Sequence, residues 1–538
     1  MNAPESSDAI ASSARTKPLS EAIAHLAAGR IGPAEDLVRH YLVRQPNDVA
    51  AICILGDIAA RAGLFDEAAR LFDRAVELVP DFSEARFNLA RILSRSAEIP
   101  RALDELDILL ARDPSQLSAE KLRLTLLAQI GQHDTAVAGR AALLQKTPDD
   151  AQLWTAHANE LKTVGRVDEA IAAYRHALAL DAEAGEAWWG IANLKIGALG
   201  HSDVPVMRAV VESAGSNWRR AIPTHFALAR ACEDAGNFEE AFSWYKSGNA
   251  LQRRTHGYDA AATSQEIDAI IAQFTAQFVT ERKGYGFASQ APIFILGMTR
   301  AGSTLIEQIL SSHSQVEGTS ELPVVPALIN RAAGANRHQH DGSFWSVLAR
   351  LDAEALRVLG EDYVAAASTY RHTDRPFFID KLPTNWLNLA LISIMLPNAK
   401  IIDARRQPMA CCFANWKQYY PLGHTFSNDL SDIALYYRDY VRLMTHFDVT
   451  LPGRVIRVDH ELMVADSERE IRALLDHLGL PFQPACLTPH RTNRPVRTAS
   501  SEQVRRPITA VGTNVWRNFE PWLDELKMAF GPLASQQT

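Results

Sequence analysis

The stretch APIFILGMTRAGSTLIEQILSSHSQVEGTSEL, residues 291–322, decides the fold of the second half of the chain. An apolar run typical of a buried strand, Pro292 to Leu296, leads into a turn bounded by Gly297 and Gly302. Apolar residues then recur at helical spacing. Strand, tight loop and helix in this order predict a phosphate-binding loop, because glycines and a helix N-terminus let backbone N–H groups approach an anion.

The residue after the second glycine restricts the ligand. Nucleotide triphosphatases carry a lysine there, and that lysine reaches the β- and γ-phosphates. This chain has Ser303 at the position. The difference argues against ATP or GTP hydrolysis and against a nucleotide kinase. The remaining loop is suited to one phosphate, with Arg300 inside it.

Length and composition set broader limits. A chain of 538 residues predicts two or more domains. The net charge of −8 gives no global basic signature for nucleic acid, so an anion site must be a local cluster. The five cysteines show neither a metal-binding spacing nor a disulfide framework, and we expect a reducing compartment, the cytoplasm. We expect no signal peptide, no membrane span and no metal.

The first half of the chain is repetitive. Prolines recur at positions 46, 80, 114 and 148, always 34 residues apart. This is the tetratricopeptide period, in which a proline ends the second helix of each repeat. Gly56 and Phe72 occupy the small and large positions of the clearest unit. We predict an all-α solenoid of roughly six to seven units whose concave face binds a protein or peptide.

In the second half, strand-like runs alternate with helical segments. The candidate strands are Ile293–Leu296, Phe377–Asp380, Lys400–Ala404 and Arg454–Val458. The alternation predicts a three-layer α/β domain with a parallel sheet, whose ligand lies at the carboxyl ends of the strands.

The predicted divisions follow from these patterns. They are a disordered N-terminus (1–14), a repeat domain (15–255), a helical linker (256–290), an α/β domain (291–532) and a tail (533–538). We expect residues 248–274 to extend the last repeat helix towards the linker.

Three segments resemble the sulfotransferase family. Residues 299–305, TRAGSTL, resemble its P-R-S-G-T-T-L loop, with departures at Thr299 and Ala301. Residues 380–385, DKLPTN, resemble D-K-x-P-x-N, and residues 498–508 resemble T-x-S-x-x-Q-V-R-x-P-I. With the repeats, the chain resembles the tetratricopeptide-containing bacterial sulfotransferases, whose catalytic domain is similar to that of protein-tyrosine sulfotransferases.

The resemblance implies a donor, 3′-phosphoadenosine-5′-phosphosulfate (PAPS), and a product, adenosine 3′,5′-bisphosphate. It also implies three catalytic residues. Glu321 would be the general base, Lys381 would neutralise charge on the leaving phosphate, and Arg300 would contact the sulfate. The donor-binding residues implied by the resemblance are Arg300, Ala301, Gly302, Ser303, Thr304, Arg406, Ala414, His460, Ser500, Gln503, Val504 and Arg506.

This chain departs from the family pattern within that set. Ala414 stands where the family has a phosphate-binding serine, and Asn415 and Lys417 are the candidates to compensate for it. His460 replaces a tyrosine, and Val515 replaces a basic residue. The first hypothesis is transfer of a sulfuryl group to a hydroxyl, such as that of a tyrosine in a peptide held by the repeats. The alternatives are a carbohydrate or small-molecule acceptor, or a repeat scaffold with an inactive catalytic domain. The sequence leaves open whether the chain forms a homodimer.

Overall fold

The computed structural model describes residues 16–336 and 348–535. Packing divides the chain into two compact units. The first unit comprises residues 1–132, 323–350 and 365–370, and the second comprises residues 133–322, 351–364 and 371–538. The domain boundaries predicted from the sequence lie where the sequence pattern changes, whereas these units are defined by how the chain packs. The repeats from residue 133 onwards belong to the same unit as most of the α/β domain.

The first unit begins with consecutive helical hairpins. Their helices are α1 (Lys17–Ala27), α2 (Ile31–Arg44), α3 (Val49–Arg61), α4 (Phe65–Leu78), α5 (Ser83–Arg95), α6 (Ile99–Arg112) and α7 (Leu117–Gln129). Pro46, Pro80 and Pro114 follow the ends of α2, α4 and α6. The predicted tetratricopeptide hairpins are therefore confirmed here.

The hairpin of α3 and α4 shows why the repeat needs its small and large positions. Phe72 is fully buried, and its ring lies against Gly56. A Cβ atom on Gly56 would lie 2.8 Å from Cζ of Phe72, closer than atoms can pack. The missing side chain at Gly56 lets the two helices approach, and the phenyl ring fills the space between them.

The second unit continues the helical array. Its helices are α8 (His133–Lys146), α9 (Ala151–Thr163), α10 (Val167–Leu180), α11 (Gly185–Ala192), α12 (Asp203–Ser213), α13 (Trp218–Asp234), α14 (Phe238–Thr255), α15 (Ala260–Gln273) and α16 (Ala276–Glu281).

The expected continuous helix over residues 248–274 is wrong. Helix α14 ends at Thr255, because His256 adopts an extended conformation with φ of −137°. Helix α15 then begins after Asp259, whose carboxylate accepts a hydrogen bond from the amide of Ala262 at 3.0 Å. An N-cap of this kind starts a new helix, so residues 256–259 form a break.

A five-stranded sheet forms the centre of the α/β domain. Its strands are β1 (Pro292–Gly297), β2 (Val316–Gly318), β3 (Phe377–Asp380), β4 (Lys400–Arg405) and β5 (Val455–Asp459). The order is β2-β3-β1-β4-β5, and every pairing is parallel. The predicted parallel sheet is confirmed, and β2 is a strand that the sequence patterns missed. The carboxyl ends of all five strands therefore meet at one edge of the sheet.

The remaining helices complete the description of the chain. They are α17 (Ser303–Ser311), α18 (Val324–Asn336), α19 (Ala353–Ser368), α20 (Leu389–Met395), α21 (Pro408–Trp416), α22 (Leu430–Thr450), α23 (His460–Ala465), α24 (Ser467–Leu478), α25 (Ser501–Val504) and α26 (Asp524–Phe530). Within the described ranges, no helix combines the length and the apolar character needed to span a bilayer.

The segment of residues 496–505, called the late segment below, is attached to the repeat helices of the second unit. The carbonyl oxygen of Thr163, the last residue of α9, accepts two hydrogen bonds from it. One comes from the amide of Val496 at 3.0 Å, and the other from Nη2 of Arg505 at 2.7 Å. One repeat carbonyl thus fixes both ends of the late segment.

Candidate active site

The phosphate-binding loop lies between β1 and α17. Strand β1 is buried along its whole length, and α17 begins at Ser303. Gly297 and Gly302 have positive φ angles of 126° and 96°. A Cβ on Gly297 would lie 2.5 Å from the carbonyl oxygen of Ala404, and one on Gly302 would lie 2.6 Å from Nδ1 of His460. Both positions therefore require glycine, as the loop spacing predicts.

Other residues of the loop line the start of α17. Ala301 is buried, and its amide donates to the carbonyl oxygen of Met298 at 3.3 Å. Ser303 is buried in the first helical turn, where backbone N–H groups lack partners within the helix. Thr304 Oγ1 donates to Oγ1 of Thr498 at 3.4 Å. The loop thus presents a helix N-terminus suited to an anion.

Arg300 extends from the loop to the late segment. Its backbone has a positive φ of 64°, which is uncommon outside glycine. Its Nη1 donates to Oγ of Ser500, and its Nη2 donates to Oε1 of Gln503 at 3.3 Å. Burial lowers the pKa of the guanidinium, and the nearby charge of Arg406 lowers it further. Nε of Arg300 is buried and has no hydrogen-bond partner among the described residues.

Arg406 follows β4 and lies beside this loop. Its Nη1 donates to the carbonyl oxygen of Arg300 at 3.1 Å, and its Nη2 donates to that of Gly512 at 2.7 Å. The side chain is buried, which lowers the pKa of its guanidinium. Its nearest carboxylate is Glu461, with Oε1 at 3.9 Å from Nε. Arg300 and the buried Arg406 lie next to each other and make this edge of the sheet positively charged.

Glu461 itself has a structural role. Its Oε2 accepts a hydrogen bond at 3.2 Å from the amide of Gln407, and the side chain of Gln407 caps helix α21. The carboxylate therefore orders the turn that carries Arg406.

A buried lysine marks the end of β3. Nζ of Lys381 lies 2.5 Å from Oε1 of Glu321 and 4.0 Å from Oε2 of Glu307. The side chains of Lys381 and Glu307 are each 1% exposed, whereas that of Glu321 is 46% exposed. Sequence position alone did not single out Glu307, although it lies on α17 one helical turn after Ser303. The structure brings Glu321 and Lys381 together, and of the two only the carboxylate is open to solvent.

Glu307 organises the buried side of this group. Its Oε1 accepts a hydrogen bond from the amide of Ser320 at 3.2 Å and lies 3.1 Å from Nη1 of Arg494. Ser320 has a positive φ of 82°. The carboxylate thus holds the turn that carries Glu321.

Asp380, the residue before Lys381, is fully buried. Tyr363 donates a hydrogen bond to its Oδ2 at 3.0 Å. Burial raises the pKa of the Asp380 carboxyl to about 7, because removal from water disfavours the charged form.

Asn415, the residue after Ala414, supports the phosphate-binding loop through hydrogen bonds. The methyl group of Ala414 offers no hydrogen bond, but Asn415 next to it is fully buried. Oδ1 of Asn415 accepts from the Thr299 hydroxyl and, at 2.9 Å, from that of Tyr420, while Nδ2 donates to the carbonyl oxygen of Thr299 at 2.7 Å. The asparagine therefore pairs with the threonine that replaces the family's loop proline, which no local pattern reveals.

His460 begins helix α23 and lies against Gly302. Burial and the charges of Arg406 and Arg300 lower the pKa of its imidazole to about 3. The ring is therefore neutral at physiological pH and places no further positive charge beside the loop.

The late segment contributes side chains with different environments. Ser500 and Gln503 contact Arg300, as described, and Val504 is buried. Arg506 is exposed, and its amide donates to the carbonyl oxygen of Gln503. The structure thus places Ser500 and Gln503 at the loop and leaves the Arg506 side chain in solvent. Among the described residues, no group of three or more acidic, histidine or cysteine side chains is arranged to hold a metal ion.

Two kinds of protein family match parts of the chain. Residues 292–484 match the family described as "Sulfotransferase family". Residues 59–124 match one family of tetratricopeptide repeats, and residues 19–81 and 155–194 match another.

Individual proteins show more distant likeness. An uncharacterized protein of Aquifex aeolicus (strain VF5) is 30% identical over 325 residues, which cover 60% of this chain and 43% of that protein. The chain thus spans less than half the length of this relative. A protein of Caenorhabditis elegans named protein-tyrosine sulfotransferase A is 22% identical, covering 39% of this chain and 56% of its own length.

Among solved structures, the sulfotransferase domain from the olefin synthase of Synechococcus PCC 7002 is similar to part of the chain. It is 20% identical, covers 43% of this chain and 88% of its own, and has a TM-score of 0.32. A tetratricopeptide repeat protein from Parabacteroides merdae ATCC 43184 is 17% identical, covers 45% of this chain and 93% of its own, and has a TM-score of 0.35.

Proposed function

Because the chain carries a sulfotransferase-family domain together with tetratricopeptide repeats, we propose that it transfers the sulfuryl group of PAPS to a hydroxyl group. The observation that carries the proposal is the pair formed by buried Lys381 and accessible Glu321, at the same edge of the sheet as the phosphate-binding loop. Transfer to a hydroxyl needs a base that the acceptor can reach and a positive charge on the donor side.

The residues present fit a nucleotide that carries two phosphate groups. Arg300 lies within the loop and the buried Arg406 lies beside it, and Nε of each is buried and makes no hydrogen bond to the described residues. A buried guanidinium N–H group without a hydrogen-bond partner is stabilised when an anion binds to it. We therefore assign the anionic groups of PAPS to these arginines and to the N-terminus of α17, with Ser500 and Gln503 nearby.

Residues of this chain then have separate roles in the transfer reaction. PAPS supplies an activated sulfuryl group when it is bound. Glu321 accepts the proton of the acceptor hydroxyl, which increases the nucleophilicity of its oxygen. Protonation removes the negative charge 2.5 Å from Nζ of Lys381. The positive charge of Lys381, which then has Glu307 as its remaining acidic neighbour, stabilises the leaving phosphate oxygen together with Arg300.

The proposed acceptor is a tyrosine of a protein or peptide. Two features support it, the exposure of Glu321 and the presence of repeats of a type that commonly binds proteins. The proposed compartment is the cytoplasm, on the ground of the cysteine pattern in the sequence.

Two experiments test the function. Calorimetry with adenosine 3′,5′-bisphosphate tests the donor site, and an absence of binding at millimolar ligand would reject the donor. Incubation of host lysate with sulfur-labelled PAPS tests the transfer. We expect label in protein that is recovered as sulfated tyrosine, and none with Glu321→Ala. Label recovered in carbohydrate or in small molecules would replace the tyrosine acceptor with that class.

A further inference from the structure

Lys195 belongs to the repeat array, yet its side chain ends in the candidate active site. It follows helix α11, in the turn after Ala192. Its Nζ donates a hydrogen bond to the carbonyl oxygen of Ala499 at 2.9 Å. The next residue, Ser500, accepts a hydrogen bond from Arg300. Adjacent residues of the late segment thus bind the lysine of the repeats and the arginine of the phosphate-binding loop.

The backbone at Lys195 is unusual. Its φ of 58° lies in the left-handed region, which glycine or asparagine normally occupies after a helix. A lysine in this conformation costs about 1 kcal/mol relative to glycine. Strained positions of this kind often occur at functional sites.

The charges around Lys195 are mostly positive. Burial lowers its pKa well below the ordinary value, and the charges of Arg300, Arg230 and Lys417 lower it further, whereas Glu233 opposes the shift. Glu233 is already shared, because its Oε1 lies 2.6 Å from Nζ of Lys417 and 3.8 Å from Nη1 of Arg230. Within the ranges that the structure describes, no carboxylate lies within ion-pair distance of Lys195.

Lys417 is the alternative suggested by its closeness to Ala414 in sequence, but its environment differs. Its ammonium group pairs with Glu233 and lies over the rings of Phe413 and Phe519, at 5.2 and 5.1 Å from the centroids. These partners compensate its charge. Of these two lysines, Lys195 is the one without a carboxylate partner among the described residues.

We propose that Lys195 is a donor-nucleotide ligand supplied by the repeat array, and that its ammonium group binds a phosphate of PAPS and of adenosine 3′,5′-bisphosphate. The inference rests on the proposed function. It explains how this chain holds a multiply charged nucleotide although Ala414 and Val515 replace the polar and basic residues of the family pattern. The positive charge comes from the repeats instead of from the α/β domain.

The test compares variants of the full-length chain by calorimetry with adenosine 3′,5′-bisphosphate. Lys195→Gln keeps a hydrogen-bond donor but removes the charge, and Lys195→Arg keeps the charge. Lys146→Gln is the matched control, because Lys146 is an exposed lysine of the same array. We expect Lys195→Gln to bind about tenfold or more weakly, and Lys195→Arg and Lys146→Gln to bind within threefold of the unchanged protein.

Salt dependence provides a second measurement. Each cation that contacts a phosphate steepens the fall in affinity with ionic strength. The slope for Lys195→Gln should therefore be shallower than for the unchanged protein, and the slope for Lys146→Gln should not change. A lysine that only positions Ala499 would leave the slope as it is.

The outcomes separate this inference from the proposed function. If the unchanged protein binds the bisphosphate and Lys195→Gln binds within twofold of it, Lys195 is not a ligand and the donor assignment stands. If Lys195→Arg also binds the bisphosphate tenfold more weakly while its unfolding temperature is unchanged, the shape of the lysine side chain is required and not its charge. In that case the inference is wrong. If the unchanged protein does not bind, the donor assignment and the inference both fail.

Discussion

Nζ of Lys381 lies 2.5 Å from Oε1 of Glu321, and the two side chains differ sharply in their access to solvent. The lysine is 1% exposed and the glutamate 46% exposed. An acceptor arriving from solvent therefore meets the carboxylate, while the ammonium group lies behind it. This asymmetry suits Glu321 to receive a proton and Lys381 to stabilise charge on the other side of the reaction.

Substitution of Glu321 by glutamine tests the first of these roles. The amide keeps the size of the side chain but cannot accept the proton, so we expect the rate of sulfuryl transfer to fall about 10²- to 10⁴-fold. Binding of adenosine 3′,5′-bisphosphate should be unchanged or tighter, because a negative charge beside Lys381 is lost. Glu239→Gln, at an exposed glutamate of α14, serves as the control. A rate within tenfold of the unchanged protein would exclude Glu321 as the base.

The glycine at the start of α17 gives a prediction about the loop. Gly302→Ala should be destabilising for two reasons. The backbone φ of 96° is unfavourable for alanine, and the added Cβ would lie 2.6 Å from Nδ1 of His460. We expect a lower unfolding temperature and loss of nucleotide binding. In Gly453→Ala, φ is 73° but no atom lies within 4 Å of the added Cβ. This control variant has the backbone strain, about 1–2 kcal/mol, but no steric clash. It should therefore bind nucleotide as the unchanged protein does. Equal binding by both variants would contradict the close packing at Gly302.

The burial of Asp380 leads us to predict that the stability of the folded chain depends on pH. Its pKa is raised from 3.8 to about 7 by burial, so the folded chain holds this proton more tightly than the unfolded chain does. The contribution of Asp380 is fully present below about pH 4 and is lost as the pH rises towards 7. We expect Asp380→Asn to become progressively more stable than the unchanged protein across this window. Denaturation of both proteins from pH 4 to 8 measures the difference.

Tyr363 provides the companion variant for this measurement. Its hydrogen bond to Oδ2 of Asp380 favours the charged carboxylate. In Tyr363→Phe, the pKa of Asp380 should therefore rise further, and the loss of stability should continue to higher pH. A stability difference between Asp380→Asn and the unchanged protein that stays constant with pH would show that Asp380 does not titrate in this window.

The repeats give a prediction with an internal control. In Gly56→Ala, the added Cβ would lie 2.8 Å from Cζ of Phe72, and we expect the free energy of unfolding to fall by about 1–3 kcal/mol. In Gly32→Ala, within α2, nothing lies within 4 Å of the added Cβ. That substitution should be neutral or stabilising by up to about 1 kcal/mol, because alanine favours a helix. Chemical denaturation distinguishes the two, and equal effects would refute the packing argument.

The sequence was sufficient for the regular parts of the fold. The 34-residue spacing of prolines predicted the helix ends at Arg44, Leu78 and Arg112, because a proline cannot continue a helix. The apolar runs predicted four of the strands, which are buried between layers. Strand β2, Val316–Gly318, was missed because three residues at a sheet edge carry no periodic pattern.

Only part of the candidate site could be predicted from the sequence. Residues within a motif, such as Arg300 and Lys381, could be identified from their neighbours in sequence. Glu307 and Lys195 could not, because their significance depends on partners far away along the chain. Lys195 and Ala499 are 304 positions apart, and only the folded chain brings them together.

The attachment of the late segment to Thr163 has a consequence for recombination, both in evolution and in the laboratory. Repeat proteins are usually regarded as interchangeable arms that can be grafted onto a catalytic domain. Here a crossover at the end of the repeats, near residue 255, would remove the carbonyl that holds Val496 and Arg505. A crossover near residue 132 would leave that carbonyl in place. We therefore expect new binding specificities to be introduced through the first repeats, while the later repeats are inherited with the α/β domain.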